Sequence, residues 1–86
     1  MALREFKVRQ LARLKELEDL LLSKYPDKEK RIRELIDFLI LKLSNLRTYT
    51  LYDYLEQLHR ASREFPEFRQ VIPKSNEVEE LLQEKE

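Results

Sequence analysis

The chain has 86 residues, 40% of them charged, yet 17 Lys and Arg balance 17 Asp and Glu to a formal net charge of zero. Such a balance exerts no general pull on nucleic acid or on anionic membranes. There is no cysteine, no glycine and a single histidine, which excludes disulfides, thiolate metal sites, glycine-rich phosphate loops and most zinc arrangements.

Residues 3–24 read as a first helix. Leu3, Phe6, Leu14, Leu17 and Leu21 recur at helical spacing, and Leu11, Leu20 and Leu22 widen the stripe. Pro26 breaks it: a residue with no backbone donor suits the first turn of a new helix, predicted over 26–46, with Asp27 and Glu29 near its positive end. Ile32, Leu35, Ile36, Leu39, Leu43 and Leu46 make one face of that second helix. Phe38, Ile40 and Leu41 lie outside the face, and Leu41 points nearly opposite it. A helix apolar on more than one side is normally covered on more than one side. It is either central in a bundle or offers Leu41 and Phe38 to another chain.

Three of the eight aromatics then crowd into "RTYTLYDY". The pattern is that of a helix start, with Thr50 as the cap, Asp53 as its box partner, and Tyr49 and Tyr54 as a hydrophobic staple. Tyr52 is left half exposed beside the cap. A third helix over 51–64 buries Leu51, Tyr54, Leu55, Leu58, Ala61 or Ser62, and Phe65, and Pro66 ends it. Between Pro66 and Pro73 a single helical turn or an extended strap is expected, pinned by Phe68, Val71 and Ile72. A short fourth helix over 76–85 follows, capped by Asn76 with Glu79, or by Ser75, and carrying Val78, Leu81 and Leu82 on a narrow apolar edge. At about 10 residues it is marginal alone and needs a surface to dock on. The expected fold is therefore all-α, a single domain over 1–86 built as a small three-to-four-helix bundle with short connections. A core of this size is only marginally sufficient, which favours tight helix packing or association with a partner.

The charge is unevenly placed. Residues 75–86 hold five glutamates against Lys85, a net charge of −4, so residues 1–74 carry +4. No apolar run reaches the ~20 residues of a membrane span, and "MALREFKVRQ" mixes charge into its apolar residues unlike a secretory signal. Abundant Lys, Arg and Glu with two asparagines and one methionine resemble the composition of a thermophile, and point to an archaeal, cytoplasmic source.

Chemistry has few handholds. Ser23, Ser44, Ser62 and Ser75 have no base nearby in sequence, and His59 sits mid-helix opposite the expected core. Glu16 and Asp19, and Glu34 and Asp37, share helix faces, but helical acids beside Lys or Arg are usually solvated pairs. Di-iron bundles also need Glu-x-x-His motifs, which are missing. No catalytic, cofactor-binding or metal-binding residue is nominated, and no cofactor is expected. Lys28, Lys30, Arg31 and Arg33 in "KEKRIR" are candidates for phosphate contact, with Arg60, Arg63 and Arg69 further on. A helix–turn–helix DNA-binding protein is one alternative, opposed by Asp53 and Glu56 where polar readers would stand. A homo-oligomeric structural or adaptor protein is another. The favoured expectation is a protein-binding module using Phe38, Leu41, Tyr52, Glu77, Glu79, Glu80 and Leu81, with DNA touched weakly or indirectly and no membrane.

The length, the cysteine-free Lys/Glu/Leu-rich composition and runs such as "KRIRELIDFLILKLSNLR" resemble the small polymerase-binding accessory subunits of crenarchaeal, Sulfolobus-type family B replicative DNA polymerase holoenzymes. That resemblance implies a non-catalytic protein that contacts the polymerase and supports DNA synthesis.

Overall fold

The computed structural model describes residues 3–83. Four α-helices follow one another: α1 (Leu3–Lys24), α2 (Glu29–Ser44), α3 (Leu51–Glu64) and α4 (Ser75–Gln83). Each of the three connections contains a 3₁₀ turn, Pro26–Lys28, Thr48–Thr50 and Pro66–Val71, and there is no strand among the described residues. The all-α expectation holds, and α1 and α3 start and stop where their periodicity and flanking prolines place them. The bundle is elongated, 43 × 19 × 17 Å, because α1 alone runs for 22 residues.

Phe6, Leu14, Leu17 and Leu21 of α1 meet Ile32, Ile36, Leu39 and Leu43 of α2 and Leu51, Tyr54 and Leu58 of α3 in one core. The 3₁₀ turn after α3 adds Phe68 and Val71, and α4 docks through Val78 and Leu81. Phe38 and Leu41 stay outside the core, as do Leu11 and Leu20 of α1, expected to widen its buried stripe.

Between Phe6 and Leu14 the α1 stripe is occupied by Gln10, fully buried. Its amide Nε2 donates to the Val71 carbonyl at 3.1 Å, and its Oε1 accepts from the Tyr54 hydroxyl at 3.1 Å. A single side chain thus ties α1, α3 and the last 3₁₀ turn together. Burial pushes the Tyr54 phenol far above its usual range, which keeps the hydroxyl protonated as the donor that this bridge requires.

Several local expectations are corrected. Pro26 opens a 3₁₀ turn rather than α2, which begins at Glu29. Thr50 precedes α3 but does not cap it: its hydroxyl accepts from the Arg47 amide at 2.9 Å and donates to the Arg47 carbonyl at 3.1 Å, closing the turn behind it. Asp53 is then free of any capping role and pairs with Lys42 instead. At α4 the Val78 amide bonds to the Lys74 carbonyl, so neither Ser75 nor Asn76 is the cap. The end expected at residue 85 lies outside the described residues.

Tyr54 is core, but Tyr49 is 83% exposed and forms no staple with it. Tyr49→Ala should therefore shift stability by no more than ~0.5 kcal/mol, the range of surface substitutions. Urea unfolding of the two proteins checks this, and a loss above ~1 kcal/mol would show a packing role that the exposure denies.

No residue in the described chain has a positive φ, as suits a sequence without glycine. The helices end by other means. α2 closes on Asn45 near φ −98°, and α3 is stopped at Phe65, whose extended backbone is what a following proline favours.

At that end of the molecule Tyr25 meets Phe65 edge to face, with ring centroids 5.4 Å apart. Glu67, its side chain only 10% exposed, accepts from Lys24 at 2.7 Å and from the Tyr25 hydroxyl at 3.0 Å. The Lys24 ammonium, foremost, and the Tyr25 hydroxyl hold the Glu67 carboxyl below its usual 4.5. A depressed carboxyl contributes stability that is complete above the unfolded value and is lost as pH falls through the folded one. Thermal melts taken from pH 7 down to about pH 3 should show this acid-sensitive component, and Glu67→Gln should remove it. An unchanged pH profile in Glu67→Gln would mean that the carboxyl does not feel the fold.

Candidate interaction surface

The side of α2 turned away from the core carries Phe38, Leu41, Lys42 and Asn45 at i, i+3, i+4 and i+7, one strip of the helix surface. Leu41 is 61% exposed and Phe38 41%. Both are large apolar side chains on a helix whose opposite face is sealed by Ile32, Ile36, Leu39 and Leu43. Lys42 organises the strip. Its ammonium lies 5.6 Å from the Phe38 ring centroid and pairs with Asp53 of α3 at 2.9 Å. The Lys42 hydrogen bond holds the Asp53 carboxyl below its usual range.

Two hollows lie between α2 and α3. One, of about 250 Å³, is lined by Leu41, Lys42, Asn45, Thr50, Asp53 and Tyr54. The other, of about 300 Å³, has Leu35 and Phe38 on one side and Gln57, Arg60 and Ala61 on the other. The result is a shallow groove with exposed apolar anchors and a rim of polar groups. It has no buried nucleophile or base, and among the described residues there is no group of three His, Cys, Asp or Glu placed to hold a metal. His59 is exposed on α3.

Of the other nominated residues, Arg31 with its partner Glu64 also lines the second hollow, and the rest fall elsewhere. Tyr52 is 65% exposed, but it stands one residue from Asp53, about 100° further round α3 from the groove. Glu79 and Glu80 are exposed and Glu77 is partly covered, and none of the three lines either hollow. Leu81 is corrected outright: it is fully buried and anchors α4, so it is unavailable to a partner.

The "KEKRIR" cluster is largely committed within the chain. Arg31 makes a two-pronged bond to Glu64, 2.8 and 2.9 Å, and lies 3.7 Å from Glu34. Arg33 pairs with Glu29 at 3.0 Å and approaches Glu18 at 3.9 Å. Lys28 sits over the Tyr25 and Phe65 rings, 5.9 and 5.8 Å from their centroids. Glu64 is correspondingly held below its usual range by the Arg31 hydrogen bond. Lys28 and Lys30 are both exposed cations with no acid partner among the described residues, Lys28 being engaged only by the two rings.

The polar members of the groove, Lys42, Asn45, Asp53, Gln57 and Arg60, were not singled out by the apolar periodicity. The i, i+4 step from Phe38 to Lys42 was the available signal. Comparisons with protein-family models, with curated proteins and with solved structures give no match.

Proposed function

We propose that this chain is a non-catalytic accessory subunit that binds another protein through the outer face of α2 and the α2–α3 groove. The observation that carries this reading is the exposure of Leu41 and Phe38 side by side on a helix already sealed on its other face. Interface energy concentrates in such desolvated apolar centres ringed by polar groups, and Lys42, Asp53 and Arg60 supply the ring here. The acidic outer edge of α4, Glu79 and Glu80, adds charge that steers a basic partner more than it holds one.

The resemblance to small holoenzyme subunits makes a family B DNA polymerase the first partner to test. Titrating the full chain into that polymerase, with binding read by calorimetry and synthesis by primer extension, should give saturable association and altered synthesis, with no turnover by the chain alone. Absence of heat and of any effect on extension would overturn the polymerase as partner. Light scattering separates the homo-oligomer, which would run at a multiple of 10.6 kDa. The ion pairing of Arg31 and Arg33 weighs against the helix–turn–helix reading, which relied on their charge.

A further inference from the structure

A second surface differs in kind from the α2 face. Arg4 and Lys7 of α1 and Arg47 of the α2–α3 connection, with Leu3, line one hollow of about 310 Å³ at the end of the bundle where α1 begins. No acid lines it, and among the described residues none of these three cations forms an ion pair. The local sequence reinforces the excess: residues 6–15 and 38–52 contain no Asp or Glu at all. Glu5, the nearest acid in sequence, projects about 100° round the helix from Arg4.

Arg47 is held in place by one bond, its Nη1 donating to the Leu46 carbonyl at 3.1 Å, which leaves the rest of its five N–H groups for a ligand. Two residues on, within ~7 Å along the backbone, stands Tyr49, the most exposed of the large apolar and aromatic side chains among the described residues. Three cations lining one hollow, with an exposed aromatic ring two residues along the chain from Arg47, combine phosphate neutralisation with base stacking, the two elements of single-strand binding. An acidic peptide would satisfy the guanidinium groups but stacks on the ring only where it also carries an aromatic or guanidinium side chain, whereas every nucleotide brings a π-face with its phosphate, and a duplex keeps its bases stacked inside.

We infer that this end of the bundle binds the phosphate backbone of single-stranded nucleic acid through Arg4, Lys7 and Arg47, with Tyr49 stacking on a base. This hollow shares no lining residue with the α2–α3 groove, although the Arg47 backbone is bonded to Thr50 at the groove's end. Contact with three phosphates gives a single-strand salt slope of about −2, so affinity should fall roughly 20-fold between 50 and 200 mM salt.

The test is fluorescence anisotropy of a labelled oligothymidine of about 20 nucleotides, longer than a typical single-strand footprint, titrated with the full chain. Arg4→Ala/Lys7→Ala/Arg47→Ala should weaken binding at least about tenfold and flatten the salt slope. Tyr49→Ala should weaken it by about fivefold or more, as loss of a stacking ring does. Arg4→Lys/Arg47→Lys should stay near wild type, as should Lys28→Ala/Lys30→Ala and Leu41→Asp. Since Arg4 and Tyr49 are both exposed, Arg4→Ala/Tyr49→Ala carries the test if the triple variant loses its helical circular dichroism. The inference is overturned if wild type fails to bind the oligonucleotide at 50 mM salt, or if folded charge-removed variants bind it undiminished. Preferential binding of a peptide copy of residues 75–86, or of anionic phospholipid vesicles, would equally overturn it by assigning the surface to an acidic protein segment or a membrane.

Discussion

Gln10→Leu should destabilise the protein by about 2–5 kcal/mol, although leucine suits the surrounding apolar stripe. The substitution leaves two buried groups, the Tyr54 hydroxyl and the Val71 carbonyl, without their partner. Each orphaned polar group costs about 1–3 kcal/mol. A chain of this length has only about 4–13 kcal/mol in total, so the loss is a large share of it. Tyr54→Phe removes one donor and should cost about 1–3 kcal/mol by stranding the Gln10 carbonyl oxygen. The double variant should cost less than the two single losses added together, by about 1 kcal/mol or more, because no hydroxyl is left to strand. Urea denaturation of the four proteins closes the cycle. Additive losses, or a Gln10→Leu protein as stable as wild type, would mean that the bridge contributes no coupling between α1 and α3.

The second large effect is on binding. Leu41→Asp and Leu41→Lys should each weaken partner association at least about 30-fold, the equivalent of the ~2 kcal/mol that defines a dominant interface residue. Their stabilities should differ in a telling way. Residue 41 lies in the last turn of α2, where an anion opposes the helix dipole and a cation suits it. The aspartate should cost about 0.3–1 kcal/mol and the lysine almost nothing. Both proteins should keep wild-type helical circular dichroism. Unfolding of Leu41→Lys would show that Leu41 is packed, and would move the search for the interface off this face. A folded Leu41→Lys that still bound with full affinity would equally remove Leu41 from the proposed centre.

What could be read from residue order was set by range. The stripe Phe6, Leu14, Leu17, Leu21 and the strip Leu51, Tyr54, Leu58 announce their helices because both depend on neighbours three and four apart. The same logic exposes Gln10, which occupies the regular position between Phe6 and Leu14, yet its polarity hid it from a search for apolar periodicity. The Glu29–Arg33 pair is four residues apart and legible in principle, whereas Arg31–Glu64 spans 33 residues and depends on how α2 lies against α3. That long-range pairing separates Arg31, which is neutralised, from Arg4, Lys7 and Arg47, which no motif drew together. Tyr49 and Tyr54 fit a staple equally well as letters. The hydroxyl of Thr50 bonds back to Arg47, and the 3₁₀ turn that it closes leaves Tyr49 in solvent. Val78 and Leu81 made an apolar edge that serves equally for docking inward or outward, and only the fold decides that Leu81 faces in.

The absence of glycine, seen above as helices that end without a left-handed residue, also acts where no contact exists. A glycine in the denatured chain wanders over both halves of backbone space, and replacing one at a compatible position favours folding by about 0.4–1 kcal/mol through that freedom alone. Here every link is made by residues whose wandering is already curtailed, and Pro26, Pro66 and Pro73 narrow it further at the turns. Part of this bundle's stability therefore belongs to its denatured form, which has fewer conformations to gain when it melts. Introducing glycine at Lys74, outside every helix, would lower the melting temperature by enlarging that ensemble while leaving the core untouched.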